Sequence, residues 1–365
     1  MPANLLDGYR QDGTTDFRSR SYAAFSEVNY ALSDRLTVTG GLRYTVEQKR
    51  GSYETSASGG LTTTNAAFNN AKLSILRPQS YAARDRDSSL SGRANIAYKL
   101  TGASLIYLSA ARAFKSGGIN MSGLPLDAAN QPVLATAVVR PERNITCEAG
   151  VKAGLLDDHL TINLWAFATD VRNFQATIVD STQTIALRGY LSNIPKVTVR
   201  GLEGELVAEM TANLRVRAEI AYAHCRYARY PKGPCPLELQ GSATTACDLS
   251  GERLSGLPRW AGSLGVDYHR YVGAGHLLVQ ADASWRSSYY GEPALSRYSL
   301  INGYVVVNGR LGYRSTRGWE VALFTRNLFN KNYIQNLTIQ VGNSGLILAT
   351  PSDPRVIGMS LGFNK

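Results

Sequence analysis

Side chains alternate in character at every second position over long stretches of this chain, and no other feature limits its fold as much. In the segment LTVTGGLRYTVE (36–47), Leu36, Val38, Leu42, Tyr44 and Val46 lie on one face. Arg35, Thr37, Thr39, Arg43, Thr45 and Glu47 lie on the other. Leu277, Val279, Ala281, Ala283 and Trp285 oppose Gln280, Asp282, Ser284 and Arg286 in the same way, and Ile357, Met359, Leu361 and Phe363 oppose Gly358, Ser360 and Gly362. Period two belongs to a strand with one apolar and one polar face. At 160–169 the pattern is broken, because Trp165 and Phe167 fall on the otherwise polar face.

About thirteen such strands can be placed, near 22–32, 35–47, 88–100, 104–115, 144–156, 159–171, 197–210, 213–226, 258–271, 276–289, 302–314, 318–328 and 355–364. At roughly ten residues or more they exceed the ~5–6 residues of an ordinary globular strand and match the length that crosses a bilayer at a tilt.

The connections alternate as well. Short turns at 33–34, 101–103, 156–158, 211–213, 272–275 and 315–318 take turns with long connections at 48–87, 116–143, 172–196, 227–257, 290–301 and 329–354. Tight turns at one end and long loops at the other are the pattern of an outer-membrane barrel, and a soluble sandwich has no reason to sort its loops this way. The apolar face then meets lipid and the charged face a wet lumen. Backbone groups in lipid must be paired within the protein, so such a sheet is expected to close. Tyr30, Tyr44, Tyr98, Tyr222, Tyr268, Trp285, Tyr313 and Trp319 fall near strand ends on the apolar face, where aromatic girdles sit.

Composition agrees. No run approaches the ~18 consecutive apolar residues of a membrane helix, and mean hydropathy is only −0.17. The 34 Gly and 20 Tyr suit turns and strands. The net charge of +11 comes from Lys and Arg spread along the chain without a basic helix or an aromatic RNA-binding signature, which argues against nucleic acid as a partner; solvated strand faces and loops are its plain reading, with anionic lipid headgroups or an acidic ligand as the alternatives. The opening MPANLLDGYRQDG has no basic stretch followed by an apolar one, so no export signal is expected in it, and the chain reads either as cytoplasmic or as the rear of something longer.

Several stretches carry a family resemblance: LIYLSAARAFKSGGIN (105–120), RPERNITCEAGVKAGLLDDHLTINLWAFATDVRNFQ (140–175), NIPKVTVRGLEGEL (193–206), LSGLPRWAGSLGVDY (254–268), WEVALFTRNLFNKNY (319–333) and PRVIGMSLGF (354–363). In order and spacing, from about residue 20 onward, the sequence resembles the C-terminal barrel of TonB-dependent outer-membrane receptors. The most specific stretch is RNLFNKNY followed by a terminal amphipathic strand; Asn364 and Lys365 after Phe363 depart slightly from the usual aromatic end.

The resemblance implies an all-β fold, an antiparallel transmembrane β-barrel that is incomplete, with about thirteen C-terminal strands of a larger barrel of about 22. Neither the family's plug domain nor its TonB-contacting box is recognised here. An odd strand count puts the two ends on opposite sides of the membrane, so residues 1–20 are expected to end an extracellular loop and 21–365 to form the barrel portion. The implied function is receptor-mediated uptake of a scarce bulky nutrient, most often an iron–siderophore complex, across the outer membrane of a Gram-negative bacterium. Power would come through the TonB complex, with outer-membrane lipid as surroundings. No enzyme activity and no cofactor are expected.

Individual residues are less telling. Cys235 and Cys247, with CPLELQGSATTAC spanning them, are expected to form a disulfide, because an extracellular loop is oxidising. Zinc held by His224, Cys225, Cys235 and Cys247 is disfavoured for want of close CxxC pairing, and no metal site is expected. His269 shares a face with Asp267 and could approach Asp282, but no serine partner is indicated. Glu209 and Arg215 flank a tight turn and should meet across it. In the long connections, arginine and aromatic side chains suit an anionic aromatic chelate by charge and stacking; the candidates are Tyr81, Arg84, Arg188, Tyr190, Tyr227 and Arg229. Rival readings are a passive porin-like channel selected by its lumen charges, an outer-membrane hydrolase, and a soluble β-protein.

Overall fold

A computed structural model describes residues 1–127, 129, 131–179, 189–239, 246–339 and 346–363. Thirteen strands form one antiparallel sheet in which each strand pairs with the next in the chain. They are β1 (Arg10–Ala31), β2 (Leu36–Ser58), β3 (Ser80–Lys99), β4 (Ser104–Lys115) and β5 (Glu142–Leu155). Then come β6 (Leu160–Val179), β7 (Gly189–Thr211), β8 (Leu214–Arg229), β9 (Trp260–Tyr271) and β10 (Gly275–Arg286). Last are β11 (Tyr304–Ser315), β12 (Trp319–Arg326) and β13 (Val356–Phe363). The sheet is open, with β1 and β13 as its edges. A ten-residue helix, α1 (Ala66–Ile75), sits in the connection after β2, its first turn capped by the Asn65 side chain accepting from the Ala67 amide at 2.9 Å.

All six short turns lie at one end. Each hairpin closes within a few residues, as where Gly318 takes φ +83° between β11 and β12, a left-handed geometry that costs glycine nothing. The register is continuous over most of the sheet; Leu42, Gly92 and Arg112 or Leu164, Gly204 and Ile220 stand side by side on one face.

Several strands run further at the long-loop end than alternation indicates. β1 starts at Arg10, so residues 10–20, expected at the end of a loop, are paired strand from Arg10↔Ser58 onward. β1 and β2 are 22 and 23 residues long, about twice a tilted bilayer crossing. The connections expected over 48–87, 172–196 and 227–257 shrink accordingly, because β2, β3, β6, β7 and β8 enter them. Above the bilayer both faces of a strand meet water, so the sequence there loses its two-face contrast while the backbone ladder continues.

The apolar face has no protein partner. Leu202, Leu311 and Leu361 keep 59%, 50% and 63% of their surface, values that a water-soluble sheet would avoid in contiguous rows. Apart from Ala208 and Ala322, the buried apolar residues lie at or near the long-loop end rather than along the middle of the wall. One cluster joins Val171, Ile194, Val197, Cys225, Tyr227, Tyr230, Leu249 and Leu254; a second joins Tyr81, Leu124 and Ala137; a third joins Tyr289, Ile301 and Leu337. The third cluster is built by two small hairpins, Tyr289–Tyr290 with Leu300–Ile301 and Ile334–Ile339 with Ile347–Pro351. The loops therefore fold as packed layers over one rim of the wall.

Candidate functional site

The polar face is tied together by cross-strand contacts. Glu320 on β12 receives Arg310 and Arg314 of β11, each at 2.7 Å. Asp267 on β9 holds Arg217 at 2.7 Å and accepts from Gln280 at 2.9 Å, and Asp282 accepts from Asn308 at 2.7 Å. Tyr107 donates to Glu148 at 2.6 Å, and Glu209 and Arg215 pair across their turn as the spacing predicts. With both nearby acids engaged elsewhere, His269 makes no side-chain hydrogen bond to Asp267 or Asp282 among the described residues. No group of three or more metal-ligating side chains occurs among the described residues.

Two recesses open on this face. One of about 470 Å³ is bounded by Arg217, Asp282, Arg310 and Arg326. The other, of about 330 Å³, has Trp165, Glu203, Glu205 and Glu219 on one side and Arg286 and Tyr304 on the other. Beside it Tyr304 stacks on Tyr333 with centroids 3.8 Å apart, and the Arg286 guanidinium lies 5.2 Å over the Tyr304 ring. Such a stack offers a flat aromatic surface and a cation in one place, a pairing that suits a delocalised anion. Sequence reasoning did not select these residues. The signal was the break in alternation that turns Trp165 inward; the pairing of Arg286 with Tyr304 needed the β10–β11 register.

Of the six side chains selected from sequence, the five that are described do not share one place. Tyr81 is an interior residue of the loop layer, 7% exposed, its hydroxyl donating to the Asn120 carbonyl at 2.7 Å and its ring tilted against Tyr53 at 5.1 Å. Tyr227 is likewise interior, 1% exposed, and packs on Tyr230 at 5.2 Å. Tyr190 on β7 is half-buried and lies close enough to Tyr230 to act on it electrostatically. Arg229 is exposed at the end of β8, and Arg84 is exposed on β3 on the outward, apolar-side face. Arg188 lies outside the described residues. Cys235 and Cys247 are joined by a disulfide, while Cys225 is buried and Cys147 sits exposed on the outward face of β5.

Polar side chains that the sequence did not single out fasten the loops. Gln79, 3% exposed, imitates a strand neighbour: its amide donates to the Leu124 carbonyl and accepts from the Leu124 amide, both at 2.8 Å. Asn120 does the same for Leu191 of β7, donating to its carbonyl at 2.9 Å and accepting from its amide at 2.8 Å. Buried Glu142 accepts the Gln175 amide at 2.9 Å, and Gln175 in turn donates to the Ser116 carbonyl at 2.8 Å.

An antiparallel wall with one apolar face, one charged face and folded loops at one rim is the arrangement of part of an outer-membrane barrel. The chain belongs to the TonB-dependent receptor-like β-barrel family, whose model matches residues 2–328. It is 24% identical over 257 residues to a probable TonB-dependent siderophore receptor, PiuA, of Acinetobacter baumannii, covering 69% of this chain and 32% of that protein. The metal-pseudopaline receptor CntO of Pseudomonas aeruginosa is 24% identical over 277 residues, 74% of this chain and 33% of its own. In fold, the ferric yersiniabactin uptake receptor FyuA of Yersinia pestis superposes with a TM-score of 0.74 at 17% identity, over 97% of this chain and 47% of that one. The chain thus spans about a third of the length of the curated relatives and just under half of that solved receptor.

Proposed function

We propose that the chain forms part of the barrel wall of an outer-membrane receptor that imports a metal chelate, with the long loops extracellular and the short turns periplasmic. The segregation of apolar and charged side chains across thirteen paired strands carries this reading, since it gives a wall that is stable only with lipid outside and water or polar protein inside. In this reading further strands close the open edges. A plug domain meets the ion-paired lumen face, and the TonB complex supplies the energy. The siderophore and metal receptors among its relatives support a chelate as cargo. Arg286, Tyr304 and Tyr333 are the side chains we place against its anionic, delocalised portion. A catalytic role is not part of this reading.

The experiment is growth of the source bacterium, with and without this gene, on a panel of ferric, copper and nickel chelates as sole metal source, alongside membrane fractionation. Loss of growth on one chelate, rescued by the intact gene but poorly by one carrying Arg286→Ala and Tyr304→Ala, is the expected result. Equal growth on every chelate, or recovery of the protein in the soluble fraction, would overturn the proposal.

A further inference from the structure

The connection from β12 to β13 is closed at its base by a single side chain. Asn327 follows β12 directly and takes φ +50°, a left-handed conformation that asparagine accepts more readily than most residues and that carries the chain off the ladder. Its own amide is still held by the wall, donating to the side-chain oxygen of Asn308 on β11 at 3.0 Å. Asn308 is oriented in turn by Asp282 of β10, to which it donates at 2.7 Å.

Asn327 is only 6% exposed, and its carboxamide is spent entirely on backbone. The oxygen accepts the Lys331 amide at 2.7 Å, while the nitrogen donates to the Lys331 carbonyl at 2.9 Å and to the Asp353 carbonyl at 3.0 Å. The outgoing limb of the connection is thereby tied to the returning limb. One rung further out, the Ser352 amide donates to the Tyr333 carbonyl at 2.8 Å, and the Ser352 hydroxyl accepts the Tyr333 amide at 3.3 Å. Asn330, at φ +51°, adds another tie by accepting the Arg355 amide at 2.9 Å.

Tyr333 thus leaves the base on a limb already fixed in place, and its ring lies on Tyr304 with centroids 3.8 Å apart and planes 22° apart. Arg286 stands over that same Tyr304 ring. An aromatic surface on a long connection is a poor partner if binding must also order the connection, because ordering subtracts from affinity. Here the base is ordered before any ligand arrives.

We propose that Asn327 is the positioning residue of this site. By clamping residues 331 and 353 together it holds Tyr333 flat on Tyr304, and so sets the grip of the stack on a delocalised anion. The grip on cargo rests on the uptake reading given above; the hold on the stack does not.

Two substitutions separate the carboxamide from the backbone that carries it. Asn327→Gly keeps the left-handed turn without penalty and deletes all three side-chain bonds. Asn327→Asp keeps size and turn but sets a carboxylate, which only accepts, against two carbonyl oxygens.

The first measurement needs no ligand: nitration of Tyr333 by tetranitromethane in outer membranes carrying the full chain, read by peptide mass spectrometry. Both variants should speed it at least about tenfold, the scale of one lost buried hydrogen bond. Tyr227, buried in the loop cluster over β8, should keep its wild-type rate. An unchanged rate at Tyr333 would overturn the proposal, and so would equal acceleration at Tyr227, which would mark general loosening of the loops.

The second measurement is a double-mutant cycle on retention of the ferric complex of catechol disulfonate, an aromatic polyanion. Tyr333→Ala and Asn327→Gly should each weaken retention about tenfold. The pair together should bind no worse than Tyr333→Ala alone, since a residue acting through another has nothing left to add. Losses that sum would assign Asn327 a separate role and overturn the proposal. No retention by the wild type, with nitration still faster in the variants, would overturn the placing of a delocalised anion on the stack and uphold the hold on Tyr333.

Discussion

Arg93 on β3 reaches over the intervening strand to Glu27 on β1, closing two hydrogen bonds on the carboxylate at 2.8 and 2.7 Å. The strand between them presents Gly41, whose register partners are these two residues. The space above Gly41 is what lets the bridge span three strands: a β-carbon there would stand 3.1 Å from the nearer Glu27 oxygen. Gly41→Ala should be absorbed by a small shift of a flexible carboxylate, whereas Gly41→Phe should hold the two charges apart. The check is the heat-induced mobility shift of the purified barrel. Phe, but not Ala, should lower the transition temperature, and adding Glu27→Ala to Gly41→Phe should lower it no further.

The loop layer depends on single amides standing in for missing strands. Gln79→Ala removes both partners of the Leu124 backbone at a fully buried position. Each orphaned group costs about 1–3 kcal/mol, so the layer over β3 should loosen by about 2–6 kcal/mol without unfolding the wall. Hydrogen exchange at Leu124 and Asn120 should speed up by about thirtyfold or more, while amides in the lower half of β3 keep their protection. Exchange at wild-type rates would show that Gln79 holds nothing in place.

These two sites differ in how far the sequence announces them. The wall was legible, because lipid on one side and water on the other imprint a period of two on every strand. Thus the rows through Leu42, Leu202 and Leu311 are where alternation puts them. The imprint fades above the membrane: residues 48–58 are polar on both faces, so nothing in them marks the continuation of β2 that the hairpin register with β1 dictates. Tyr81 and Tyr227 could be picked out as loop aromatics, but their burial comes from Leu124 and Leu249, brought in by distant loops. For Arg84, counting parity upward from Leu90 would have placed it outside the wall. Gln79 and Asn120 had no signal at all, since an amide that mimics a strand looks like any polar loop residue.

The disulfide between Cys235 and Cys247 closes a small loop in the layer above β8. In the chain-entropy account, a ring of this size removes about 3 kcal/mol of freedom from the opened state. Replacing both cysteines by serine should therefore expose the 230–257 connection to protease at a dilution where the wild type resists. Reducing agent should do the same to the wild type and nothing further to the variant. Because Gly233 and Cys247 also exchange two backbone hydrogen bonds, at 2.8 and 2.9 Å, the loop should open locally rather than lose its fold. Unchanged proteolysis in both cases would show that the backbone bridge alone is sufficient.

Tyr230 offers a cleaner separation of burial from hydrogen bonding. Its ring packs on Tyr227 in the loop cluster, yet its buried hydroxyl has no hydrogen-bond partner among the described residues. Burial raises the phenol above its ordinary value, with the neighbouring phenols of Tyr227 and Tyr190 adding to the shift. A group raised in the folded state stabilises it fully below the unfolded value, near 10 for tyrosine, and loses that stabilisation as pH climbs through the folded value. Local stability of this cluster should thus be flat from neutral pH to about 10 and fall above it. Tyr230→Phe keeps the ring and deletes the unpaired hydroxyl, so at neutral pH it should be neutral or stabilising by about 1 kcal/mol. At alkaline pH it should flatten the decline. Protease resistance of the 230–257 connection, followed from pH 8 to 11 in both forms, reads the two effects together; a variant weaker than wild type at neutral pH would mean the hydroxyl is satisfied after all.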